Sequence, residues 1–230
     1  MKKYLVSSML FILSLMFLSC VTPMQRLPLS KDAAAKVNGK TCEISKPKTP
    51  DFYAQTTGKA WLPPMIGIAA SYSAGREIVA ENNIADPAIH VSKEILKILS
   101  ENFNIKLLPE SANISENSDI DTLCKTYSRG DLLLDVRTTG WSFGTGAGSN
   151  PALSAQYLVS FAINLRVIDV KLKEVLTEET FVYPNTTSAD PKRTFSYDEL
   201  MNNNAEGLKM GLRKGADEAI LFFREKAFNL

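Results

Sequence analysis

Apolar and polar positions divide the chain into stretches of different period. Leu5 to Leu18 is an almost unbroken apolar run, entered through Lys2 and Lys3 and left through Ser19-Cys20. At roughly fourteen residues it falls short of the roughly 20 needed to cross a bilayer as a helix. A basic start, an apolar middle and a small-residue exit is the pattern of a secretory signal, to be removed. From Val21 to about Leu62 no apolar period is sustained, and Pro23, Pro28, Pro47 and Pro50 stand among many Lys, Ser and Thr. This stretch reads as a tether, and roughly 40 flexible residues span about 35 Å r.m.s.. The division expected is therefore a signal over 1–19, a tether over 20–62 and one folded domain over 63–230.

Within that domain, Met65 to Tyr72 is a short apolar run of the length of a buried strand. Asp86-Pro87 is an N-cap followed by proline at the first helical position, and Val91, Ile95, Ile98 and Leu99 recur at helical spacing to about Asn102. Ile105 to Leu108 predicts a second strand. Ser118 to Ser128 predicts a second helix, with Ile120, Leu123, Cys124 and Tyr127 on one side and Gly130 closing it. Leu132, Leu134 and Val136 alternate with more polar positions over Asp131 to Thr139. A longer alternation runs from Leu153 through Tyr157, Val159, Phe161, Ile163 and Leu165 to Val167, and Val175 to Tyr183 completes an antiparallel meander. Ser196 and Glu199 form a capping box, with Phe195 and Leu200 as its hydrophobic staple, opening a helix that runs through Leu208, Leu212, Ala216, Ala219, Ile220 and Phe223. The predicted order is β-α-β-α-β-β-β-α, an α/β fold of helices on a mixed sheet.

Composition narrows the function classes. Of 26 Lys+Arg and 25 Asp+Glu, the signal carries two basic and no acidic residues, so the mature balance is near −1. A nucleic-acid partner, which needs a clustered basic excess, is not expected. Cys20 sits at the signal junction, and the two remaining cysteines, Cys42 and Cys124, could form one disulfide in an oxidising compartment or stay as shielded free thiols.

Candidate chemistry is sparse. His90 is the one histidine and has no Cys or carboxylate at ligand spacing beside it, so neither a metal nor a cofactor is expected. Gly39-Lys40-Thr41 echoes the end of a P-loop without the upstream glycine or a preceding strand. Gly144 to Gly148 is followed by Asn150-Pro151 and a strand, where a phosphate site needs a helix, so it reads as a hairpin tip. Arg129-Gly130-Asp131 spells an adhesion tripeptide but falls where a helix ends and a strand begins. No nucleophile, base or paired carboxylate is brought together by periodicity, so an enzyme is not expected. Gly207, Gly211 and Gly215 share one face of the last helix. Each costs roughly 1 kcal/mol relative to Ala there, so a close contact must offset them, made either with the chain's own sheet or with a neighbouring subunit.

Ser19-Cys20 after the apolar run resembles the bacterial lipobox, in which the Cys is acylated and becomes the new N-terminus; a plain signal cut near Ser19 is the competing reading. Val21 rather than Asp after Cys20 resembles the sorting pattern for the outer membrane. With the tether, the pattern Val91-Ser92-Lys93-Glu94-Ile95-Leu96, the stretch Phe161-Ala162-Ile163-Asn164-Leu165-Arg166-Val167-Ile168-Asp169-Val170 and a final helix, the chain resembles the curli-secretion-channel (CsgG-like) lipoproteins. In element order it is similar to the penicillin-binding-protein activators and the N-terminal domain of TolB. The resemblance implies a non-enzymatic, outer-membrane-anchored domain facing the periplasm. It would be held to lipid through Cys20 and work through an envelope protein partner or as a homo-oligomer, with a subunit of a secretion pore as the alternative.

Overall fold

The computed structural model describes residues 26–145, 156–184 and 194–230. The signal, Cys20, the hairpin tip with Leu153 and Ala155, and residues 185–193 lie outside the described residues. The described elements are α1 Lys31–Val37, β1 Thr41–Ile44, β2 Tyr53–Ala54, α2 Thr57–Ala60, α3 Pro64–Asn82, α4 Pro87–Phe103, β3 Lys106–Leu107, α5 Ile120–Thr126, β4 Leu132–Thr145, β5 Tyr157–Asp169, β6 Glu174–Tyr183, β7 Thr194–Phe195 and α6 Tyr197–Lys226. They build a mixed seven-stranded sheet in the order β3-β1-β4-β5-β6, with β2 beside the far end of β4 and β7 beside the start of β5. β1 runs parallel to both β3 and β4. The β4-β5-β6 meander is antiparallel.

The period-2 alternation of β4 and β5 settles which residues enter the main core. Leu132, Leu134 and Val136 face the same side as Val159, Phe161, Ile163 and Leu165, and Val91, Ile95 and Leu99 of α4 and Leu208, Leu212 and Phe223 of α6 cover them. The register shift between Thr138 and Gly140 absorbs one residue, so Trp141 and Phe143 return to the core side. On the opposite face a smaller cluster joins Leu123, Cys124 and Tyr127 to Leu133 and Ile168.

Three expectations change. Met65 to Tyr72 is not a strand but the first half of α3: Pro64 starts the helix and Ala69, Ala70 and Ala74 favour it, and a short apolar run does not by itself distinguish the two. The stretch read as tether folds from Leu27 onward. Leu27 pairs with Glu178 and Leu29 N donates to Ala227 O at 2.7 Å, while β1 is an interior strand whose Cys42, Glu43 and Ile44 pair with Leu132, Leu133 and Leu134. The last helix keeps its capping box but breaks at Asn202–Ala205, where Asn203, Asn204 and Ala205 have φ of +54°, +59° and +57°.

Candidate interaction surface

α3 is held by one face only. Gly67, Ser71 and Gly75 recur at spacing four and are its buried residues. A Cβ on Gly75 would lie 1.7 Å from the carbonyl oxygen of Phe52, so the glycine lets the helix rest on the backbone leading into β2. The remaining faces stay open. Met65 is 80% exposed, Trp61 70% and Ile66 58%, and Leu62, Ile68 and Tyr72 are exposed around them. This apolar helix start has no cover from the domain's own core. The small-residue stripe at spacing four was the signal that could have identified this helix from the sequence.

The sheet face opposite α4 and α6 is polar and tightly bonded near its middle. Asp135 accepts from Arg166 Nη2 at 2.6 Å, Arg137 Nη2 at 2.8 Å and Ser45 Oγ at 2.6 Å. Burial alone would raise its carboxyl, but the hydrogen bond and charge of Arg137, the charge of Arg166 and the Ser45 hydroxyl outweigh it and hold it below the usual carboxylate range. Arg166 Nη2 also donates to Ser118 O, tying α5's approach to the sheet. With every partner inside the domain, this network is structural.

The sequence-singled residues fall as follows. Cys42 and Cys124 are free thiols on opposite faces of the sheet, Cys42 in the main core and Cys124 in the smaller cluster. They do not pair, and burial pushes the Cys42 thiol up to about 12. Gly207, Gly211 and Gly215 meet the chain itself: their Cβ positions fall 2.0 Å from Glu199 O, 3.1 Å from Val159 Cγ2 and 2.6 Å from Phe161 Cε1. The glycine face is therefore spent on the domain's own packing. His90 Nε2 lies 3.0 Å from Asp217 Oδ1, joining α4 to α6. Arg129 donates to Glu43 and to Pro109 O, and Asp131 accepts from Thr41 N and Oγ1, so the tripeptide clamps β1 while Arg129 and Asp131 stay exposed.

One polar feature was not foreseen. Glu179 faces the helix-covered side of β6 at 3% exposure, and its Oε2 is, among the described residues, the buried side-chain oxygen or nitrogen without a hydrogen bond. It borders a cavity of about 620 Å³ between Arg26 and the end of α6. Its place in a strand otherwise alternating apolar and polar was the available signal. No helix among the described residues is long and apolar enough to cross a membrane.

No protein-family model and no curated protein matches the chain. Among solved structures it is similar to the PelC dodecamer from Paraburkholderia phytofirmans, at 11% identity and a TM-score of 0.36 over 89% of this chain and 95% of that one. It is also similar to the hypothetical protein CT253 from Chlamydia trachomatis, at 8% identity and a TM-score of 0.37 over 84% and 99%. A third is lipoprotein GNA1162 from Neisseria meningitidis, at 13% identity and a TM-score of 0.32 over 79% and 98%.

Proposed function

We propose that this chain is a lipid-anchored interaction module of the bacterial envelope, held to the outer membrane through acylated Cys20 and docking an envelope protein through the exposed start of α3. It works by contact rather than by catalysis. The observation that carries this reading is the α3 surface. Trp61, Leu62, Met65, Ile66, Ile68 and Tyr72 leave roughly 600 Å² of largely apolar area to water, taking roughly 150–250 Å² for a large side chain. That is at the upper end of the largest patch on soluble monomers, roughly 300–600 Å², and near the roughly 800 Å² that each partner contributes to a stable interface.

The topology supports a surface aimed away from the lipid. Leu27 pairs with Glu178, which pairs with Arg166 of β5, whereas α2 touches the opposite end of that strand through Thr57 N and Tyr157 Oη, 3.2 Å apart. Arg166 lies nine positions along the strand from Tyr157, about 30 Å at about 3.3 Å per residue. Leu27, seven positions after Cys20, and α2, which leads into the apolar helix, thus lie at opposite ends of β5.

The test is capture from native envelopes with a photoreactive side chain at position 66, alongside the double variant Met65→Asp and Ile66→Asp. A crosslinked envelope protein that the double variant loses, at unchanged melting temperature, supports the reading. Recovery of the same partner by the double variant overturns the assignment of α3. Mass measurement of the mature N-terminus tests the anchor separately: a Cys20 without acyl chains overturns it.

A further inference from the structure

Arg26 and the last turn of α6 enclose a cavity against β6, of about 620 Å³ and so within the ordinary range of ligand pockets, roughly 300–1,000 Å³. Glu179 borders it. The register pairs Glu179 with Leu165, which turns the carboxyl to the covered side of the sheet, where its Oε2 has no donor. Burial pushes this carboxyl up, against the pull of the Arg26 charge, the Thr180 backbone N–H and the Lys226 charge. An unmet buried oxygen destabilises the fold, and such violations are where function is sought.

The remaining wall discriminates between ligands. Arg26 and Lys226 are basic, Lys226 Nζ donating to Glu225 Oε1 at 2.7 Å, Asn229 is polar, and Pro28, Phe222 and Leu230 are apolar. A lone anion is repelled by Glu179. A divalent cation needs several oxygen ligands at once, and two basic side chains oppose it. A ligand carrying both an N–H cation and an anion a few bonds apart satisfies both halves.

We propose that this cavity binds the phosphoethanolamine headgroup of a membrane phospholipid, its ammonium donating to Glu179 Oε2, its phosphate between Arg26 and Lys226, and its glycerol end leaving past Phe222 and Leu230. The lipid source rests on the anchor reading above. Arg26 lies six positions after Cys20, and an extended chain of that length reaches about 20 Å, so an acylated Cys20 keeps this end of the domain at the headgroup layer. The chemistry of the pocket does not depend on the anchor.

The experiment is calorimetric titration of the full chain, in non-ionic detergent micelles, with dihexanoyl phosphatidylethanolamine, dihexanoyl phosphatidylcholine and free phosphoethanolamine. Choline is the control because its quaternary nitrogen has no N–H to give Glu179. The ethanolamine lipid should bind about tenfold more tightly than the choline lipid, about 1.4 kcal/mol. Glu179→Leu should abolish that preference. Lys226→Ala, at an exposed side chain, should weaken binding of both lipids about equally without disturbing the fold. Equal binding of the two lipids, absence of binding, or a preference that survives Glu179→Leu overturns the site. Free phosphoethanolamine binding as tightly as the lipid overturns the lipid source. Because the assay runs in micelles, an unacylated Cys20 found by mass leaves the headgroup result readable on its own.

Discussion

Asp135 has no exposed side-chain surface, yet two guanidinium groups and a hydroxyl keep it ionised. Removing one partner of a buried charge pair costs roughly 3–5 kcal/mol, because the other charges remain buried without it. Asp135→Asn should therefore lower the denaturant midpoint by an amount of that size, with an unchanged slope. Because its folded pKa lies below the unfolded value, the stabilisation from Asp135 is complete above the ordinary carboxylate range and is lost as pH falls through the folded value. Glu179 has the opposite sign. Its folded pKa is raised, so its contribution is most favourable below the unfolded value and is lost as pH rises through the folded one. Glu179→Leu should raise the melting temperature at pH 7, and that advantage should shrink on acidification; an advantage that grows in acid would show that burial does not govern Glu179. Neither Cys42 nor Cys124 should react with a thiol reagent until the chain unfolds, since both are buried and their thiols are shifted upward.

Two helices use small residues at spacing four, for the same physical purpose. On α3, Gly75 admits the backbone of Phe52 ahead of β2 and Gly67 that of Lys59 in α2; on α6, Gly211 and Gly215 admit the side chains of β5 and β6. Gly207 is different. In an unbroken helix it would lie about 12 Å along the axis from Glu199, eight residues away, but the left-handed turn at Asn203–Ala205 folds the first piece back until the two nearly touch. The alanine series should follow these contacts. Gly207→Ala meets backbone and should cost more than roughly 3 kcal/mol; Gly215→Ala meets two aromatic rings and should cost roughly 1–3 kcal/mol. Gly211→Ala meets one methyl group and should fall within about 1 kcal/mol of neutral, helped by the gain in helix propensity. Thermal denaturation of the three variants checks the order, and an equal loss at all three sites would contradict it.

At the scale of the molecule, the long β4-β5 hairpin invites comparison with a membrane-spanning wall, which needs strands of roughly 9–11 residues with a continuous lipid-facing row. The apolar row of Trp141, Phe143, Tyr157, Val159 and Phe161 is buried in the domain's own core. The other row carries Arg137, Ser142, Ser160 and Asn164, with Ser142 and Ser160 hydrogen-bonded to each other at 2.7 Å. Neither row offers lipid a surface. Purified protein in planar bilayers should give no stepwise conductance; reproducible single-channel steps, abolished by deleting residues 140–154, would promote the secretion-pore reading.

The local signals in the chain were those that short-range physics writes directly. Although β4 runs past the expected end at Thr139, through a register shift, to Thr145, the Asp86-Pro87 start of α4, the Ser196–Glu199 capping box, and the alternation over Leu132 to Val136 and Tyr157 to Val167 stand in the structure as read. These are determined by neighbours within four residues or by a period of two, so no distant contact was needed to see them. Three features were decided only by tertiary structure. Thr41–Ile44 has no period of its own and becomes a strand because β3 and β4 both supply hydrogen-bond partners. Which side of the helix over Met65 to Tyr72 stays uncovered is set by where its small residues find a backbone to rest on, Gly75 against Phe52, a contact made across chain that no short sequence window spans. The orphan oxygen of Glu179 depends on the return of α6 over β6 and on the N-terminal segment beside it, three parts of the chain far apart in sequence. Whether a side chain is apolar is written locally; what lies against it is decided by the whole fold.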